Sequence, residues 1–242
     1  MDFDRLLDEL HAHGTALARS SEYAPLDTPV PTCPGWTTAR LLGHLAKVHR
    51  WSSWTIQHGV SDGFQWQRPD DDRLISFFLA GLDELVVTLR ETPVDRPIWT
   101  LWPVRSPRLY WARRQAHEAA IHRVDMELAI GYGVTDFEPD FAADGIDELL
   151  MSMVPLGTTA EHGPAALVVE PLDMNVSWTV RVSEAGVDAR REAISTADLT
   201  IFGSSSDLYR WVWNRADDAE VSLRGDVTKA DWWRATVAVS SR

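Results

Sequence analysis

One stretch, Trp111 to Ile130 (WARRQAHEAAIHRVDMELAI), constrains this chain more than any other. It holds neither Pro nor Gly, and the spacing predicts a helix of about five turns. Its charged side chains fall on two faces. At about 100° per residue, Arg123 and Glu127 share one face, read as the solvent side, while Glu118, His122 and Asp125 lie roughly opposite. Ala119 and Met126 flank this second stripe on one side, and Ile121, Val124 and Leu128 flank it on the other. A polar stripe with apolar neighbours on both sides should point into the protein. Burying a carboxylate and an imidazole without partners costs several kcal/mol, and a metal ion would offset that cost.

Glu118 and His122 are i, i+4, so their side chains lie about one turn apart on one face and could hold one ion together. A buried His–Glu hydrogen bond without metal satisfies the same pattern, and both readings stand at this point. His117 and Glu118 resemble the start of HExxH, but the second histidine comes one residue late. His117 and His122 are therefore about 140° apart around the helix, which excludes a zincin-type metalloprotease.

The rest of the chain sets limits. At 242 residues it could form one large domain or two of ordinary size. No apolar run is long enough to span a membrane, and the acidic, amphipathic start (MDFDRLLDELHAHG) is neither a signal peptide nor a basic transit peptide. The single cysteine, Cys33, rules out an internal disulfide framework and fits a cytoplasmic location. A net charge of -13 argues against nucleic acid, whose phosphates need a positive surface. Twelve Trp is a high count; some are expected to line a pocket and most to fill the core.

In chain order, Leu6, Leu7, Leu10 and Leu17 predict a first helix from Asp2 to Ser20, with His11 and His13 as surface or packing residues. The Pro-rich segment PLDTPVPTCPGW cannot be helix interior; Thr37 or Thr38 caps the helix that follows, to His58. On that helix Leu41, Leu45, Val48, Ser52 and Ile56 mark the buried side, His44 lies at its edge, and His49 points about 140° away from His44. Alone, His44 reads as a hydrogen-bonded core histidine. A third helix spans Arg73–Glu91, and a fifth, after the long one, spans Phe141–Met153. These helices predict an up-and-down four-helix bundle with one extra helix.

The pattern changes at LGTTAEHGPAA, which places the division between residues 1–158 and 159–242. Strand-like runs follow at Ala166–Glu170, Val176–Val182 and Leu199–Gly203, then a helix (Ser206–Asn214), a short strand (Ala219–Leu223), a turn at Arg224–Asp226 and a last helix (Thr228–Val237). The expected class is α+β: a helical bundle followed by a small α+β domain.

The segments PTCPGWTTARLLGHLAKVHRW, RRQAHEAAIHRVDMELA and GSSSDLYRWVWNR, in this order, resemble those of the mycothiol-dependent maleylpyruvate isomerase family of actinobacteria. The resemblance spans most of the chain. It implies a DinB-like four-helix metal-binding domain and a small C-terminal domain, with zinc, or another divalent metal, held by His44, Glu118 and His122. Two histidines, one carboxylate and an open position form a catalytic zinc pattern. The resemblance also implies a catalytic arginine from the C-terminal domain. Arg215 is the match, with Arg210 and Arg224 as rivals, and a helix-end cation as its plain alternative.

The implied activity is a cytoplasmic, mycothiol-dependent isomerase or thiol S-transferase acting on a small electrophile, as a monomer or homodimer. Two other classes stay in view: a hydrolase using zinc-activated water, and a non-catalytic protein that binds a small ligand. Asp125 is expected to orient His122 or to pair with Arg123 or Arg114, Cys33 to pack, and Trp36, Trp51 and Trp54 to divide between cleft wall and core.

Overall fold

A computed structural model describes residues 1–157 and 163–237, so the division expected at 158/159 lies outside the described residues. The chain forms two compact units, Met1–Thr135 and Asp136–Arg242. The first holds four helices: α1 (Phe3–Ser21), α2 (Thr38–His58), α3 (Leu74–Glu91) and α4 (Pro107–Ile130). The fifth expected helix is α5 (Pro139–Glu148), continued by a π-helical turn at Leu149–Met153 and by α6 (Val154–Gly157). It belongs to the second unit, because α5 packs there on the helix Ser205–Val212.

Local chemistry sets the helix ends. The Asp2 carboxylate accepts from Arg5 N at the start of α1, and the Thr37 hydroxyl accepts from Arg40 N at the start of α2. Gly59 (φ 79) and Gly131 (φ 74) close α2 and α4 in the left-handed conformation that glycine adopts without a Cβ penalty. The long helix begins four residues earlier than expected, at Pro107, a position where the missing N–H costs nothing.

Helices α1 and α4 pack along each other, as do α2 and α3. Leu17, Leu41, Leu42, Leu45, Leu74, Phe78 and Met126 form a shared core. Two expectations about exposure are corrected. Arg123 and Glu127 do not face solvent; they are 2% and 6% exposed and pair at 2.9 Å, with Glu127 also accepting from Thr135 N and Oγ1. α4 is thus covered on both faces, so neither polar stripe can mark a solvent side. On α2, Val48 is only half-buried and His49 is wholly buried against Phe78, because α3 covers the flank that carries His49.

The second unit is a five-stranded mixed sheet in the order β3-β2-β1-β4-β5. Its strands are β1 (Ala165–Pro171), β2 (Trp178–Ser183), β3 (Gly186–Arg190), β4 (Leu199–Gly203) and β5 (Ser222–Gly225), with α7 (Ser205–Val212) and α8 (Thr228–Thr236). β1 runs parallel to β4, with Val169 beside Ile201; the other pairings are antiparallel. β3 escapes a sequence pattern because it is a half-exposed edge strand, where Asp188 and Arg190 pair outward and blunt the edge. The short strand expected at Ala219–Leu223 begins at Ser222, after a 3-10 turn at Asp218–Glu220 fixed by a capping box with Asp217. Arg224 and Gly225 accordingly lie in β5 rather than in a turn.

Candidate metal centre

Three short elements build the site. The turn from Thr32 to Trp36 is closed by Trp36 N donating to Cys33 O (2.9 Å) and Val30 N donating to Trp36 O (3.0 Å), with Gly35 at φ 78. α2 follows at once and presents His44. α4 supplies Glu118, His122 and Asp125 from consecutive turns of one face.

The structure brings His44, Glu118 and His122 together. His44 Nε2 lies 3.1 Å and His122 Nε2 3.3 Å from Glu118 Oε1. One ligand atom from each of the three residues falls within 4.8 Å of the others, a spacing that fits two nitrogens and one oxygen on a single divalent ion. The side chains of His44 and Glu118 are 19% and 21% exposed, whereas that of His122 is sealed.

Asp125 orients His122. Its Oδ2 lies 2.7 Å from His122 Nδ1 and accepts from Cys33 Sγ at 3.4 Å, while Oδ1 accepts from Thr32 Oγ1. With Nδ1–H given to Asp125, Nε2 is the nitrogen turned towards Glu118 and His44, an arrangement that fixes ring orientation in metal-binding histidines. The expected alternative partners of Asp125 are engaged elsewhere: Arg123 with Glu127, and Arg114, whose Nη2 donates to Glu118 Oε2 at 3.0 Å. Cys33, His122 and Asp125 form a second close group among the described residues. In it Asp125 is already the shared acceptor, and no open side is left. Thr32 gave no sequence signal, since its role depends on a turn that lies far from α4 in the chain.

The electrostatics follow from these contacts. Burial alone would raise the Glu118 carboxyl; hydrogen bonds from His122 and His44 and the charge of Arg114 outweigh it and hold the group well below the usual carboxylate range. Burial likewise opposes charge on His122, but hydrogen bonds to Asp125 and Glu118 raise its pKa to about 9. A cation entering here displaces the proton on His122.

Trp36 borders the centre, with ring centroids 5.0 Å from His44 and 6.2 Å from His122. Trp51 instead packs on Trp99 and Trp111, and Trp54 stacks on His58. In the second unit Arg215 is 7% exposed and its Nη1 donates to Trp213 O at 2.7 Å. Of its rivals, Arg210 pairs with Glu220 and Asp207, and Arg224 lies over the Phe202 ring. No helix is long and apolar enough to cross a membrane among the described residues.

A family model described as the mycothiol maleylpyruvate isomerase N-terminal domain matches residues 7–127, and that of the MDMPI C-terminal domain matches residues 140–231. Two crystal structures share the fold: that of a mycothiol-dependent maleylpyruvate isomerase and that of its histidine-to-alanine mutant. Each has a TM-score of 0.64 and 15% sequence identity, over 92% of this chain and 93% of the other. No curated protein sequence matches the chain. The two domain matches run in order through both compact units, and the chain belongs to the mycothiol maleylpyruvate isomerase family.

Proposed function

We propose that this protein is a metal-dependent, mycothiol-dependent enzyme, an isomerase of the maleylpyruvate type or a closely related thiol S-transferase. The observation that carries the reading is the convergence of His44, Glu118 and His122 around one point, with His122 braced by Asp125. These three residues would hold the ion, with zinc as the expected metal. When bound there, a divalent cation favours the thiolate form of a thiol placed beside it.

The chain's own residues do the rest. Glu118 contributes the single negative charge of the donor set and stays ionised because His122 and His44 bond to it and Arg114 holds its second oxygen. Asp125 holds a proton on His122 Nδ1, which leaves Nε2 as the nitrogen that would face the cation. Trp36 lies against both imidazoles and forms one wall of the centre. Mycothiol, when bound, would supply a thiol nucleophile for a maleyl double bond in the isomerase case, or for another electrophilic carbon in the transferase case. Arg215 is the proposed partner of a substrate carboxylate or developing enolate, where a guanidinium offers two parallel donors.

The test joins elemental mass spectrometry to turnover. Stoichiometric divalent metal in the wild type, lost in His44→Ala, together with maleylpyruvate turnover that requires mycothiol, is the expected result. Metal-dependent turnover of an ester or amide without any thiol would instead favour the hydrolase. Failure to bind metal after incubation with zinc would remove the mechanism.

A further inference from the structure

The rim of the candidate centre carries positive charge that the donor set does not use. Arg40, Gly43 and His44 are i, i+3 and i+4 on α2 and share one face. The guanidinium of Arg40 stands 5.0 Å from the centroid of the Trp36 ring, the same ring that lies 5.0 Å from His44 and 6.2 Å from His122. Arg40 is exposed and forms no ion pair with a carboxylate among the described residues. A second guanidinium comes from the loop before α3. The side chain of Arg68 lies across Gly43: a Cβ there would sit 3.3 Å from its Nε and 3.8 Å from its Cδ, so the absence of a side chain at Gly43 gives Arg68 its place. Asp71 Oδ1 and Pro69 O hold Arg68 through Nη2 and Nη1, and its side chain remains 42% exposed.

Two guanidiniums thus flank His44, one a helical turn before it and one over the adjoining glycine. Arg40 carries its charge without a carboxylate partner among the described residues, Arg68 shares its charge with Asp71 while keeping its side chain part-exposed, and both stand beside His44, itself open to solvent on one side. Planar guanidiniums match a carboxylate through paired donors.

We propose that Arg40 and Arg68 form an anion-binding subsite that holds a carboxylate of the substrate beside the metal centre. The subsite is built from residues of the helical unit alone. The assignment of the reacting centre rests on the functional reading above; the subsite itself does not need it.

The experiment titrates maleate, a small dicarboxylate, into zinc-loaded and chelator-treated protein by calorimetry. It compares wild type, Arg40→Ala, Arg68→Ala, Arg40→Lys and, as an exposed cation on another helix, Arg19→Ala. Metal content of every variant is measured alongside. Maleate affinity should fall tenfold or more in Arg40→Ala and in Arg68→Ala, recover in part in Arg40→Lys, and stay at the wild-type value in Arg19→Ala, with metal content unchanged throughout. No maleate binding by the wild type, unchanged affinity in both alanine variants, or an equal loss in Arg19→Ala would overturn the subsite.

The two proposals fail separately. Arginine-dependent maleate binding without mycothiol-dependent turnover leaves the subsite and removes the reaction. Mycothiol-dependent turnover of maleylpyruvate, with KM unchanged in the Arg40→Ala/Arg68→Ala double variant, leaves the reaction and removes the subsite.

Discussion

Replacing His49 with Phe tests how strongly the bundle interior controls charge. His49 is wholly buried, its ring centroid lies 5.3 Å from that of Phe78, and neither ring nitrogen has a hydrogen-bond partner among the described residues. Burial is the main cause that lowers its pKa from 6.5 to about 3, against the opposing pull of Glu118. The folded value lies below the unfolded one, so between them the unfolded chain binds more protons. Stability from this group is therefore complete above pH 6.5 and lost as pH falls towards 3. At about 1.4 kcal/mol per unit, the whole window corresponds to roughly 5 kcal/mol, of which about 3 kcal/mol is gone by pH 4.5. The assay is urea unfolding of chelator-treated protein followed by tryptophan fluorescence at pH 7.5 and pH 4.5. Other titrating groups contribute equally to both proteins and cancel in the comparison. His49→Phe should lose about 3 kcal/mol less than wild type over this interval. At pH 7.5 it should be at least as stable as wild type, because an apolar ring of similar shape replaces two unpartnered nitrogens. The same pH dependence in both proteins would refute the reasoning, since burial would then not be holding the imidazole neutral.

Three further outcomes are expected. Glu118→Gln should lose most metal affinity while Glu127→Gln keeps it, yet Glu127→Gln should be the less stable fold, by about 3 kcal/mol, because it removes the carboxylate charge paired with the buried Arg123; equal metal content in the two variants would contradict the donor set. Asp125→Asn should weaken metal binding about 10- to 100-fold with little change in helical content, since the acceptor for His122 Nδ1–H becomes a weaker one; competition with a chromophoric chelator measures this, and unchanged affinity would show that Asp125 does not orient His122. Gly225→Ala should destabilise the second unit by on the order of 2–3 kcal/mol, because Gly225 has φ +118 and a Cβ would fall 2.3 Å from the Asp198 carbonyl oxygen; a thermal melt no lower than wild type would count against that backbone contact.

Much of the helical half was legible in the chain. The cap at Thr37 and the Pro-rich turn before it placed α2 almost to the residue, and the absence of Pro and Gly from Trp111 to Ile130 placed α4 except for its first turn. The i, i+4 spacing put Glu118 and His122 on one inward face of α4, and the shared motifs singled out His44 as their partner. The sheet was harder. β3 and β5 are short, half-exposed edge strands: β3 offers only Val187 and Ala189 as its apolar side and escapes a sequence pattern, and β5, with Leu223 alone, begins later in the chain than expected; pairing with β2 and β4 defines them.

What the sequence determined by itself was therefore periodic and local: which residues are helical, where helices begin and end, and which side chains share a face. Tertiary structure alone decided how many faces of a helix are covered. α1 and α2 both pack on α4, so Arg123 and Glu127 are buried as firmly as His122 is; α3 covers the flank of α2 that carries His49. It also decided that Thr32 and Cys33, which precede α2, would meet Asp125 on α4. Periodicity reports the angle between side chains on one helix. It says nothing of what stands opposite each of them, and that sets whether a charge is solvated, paired or held neutral.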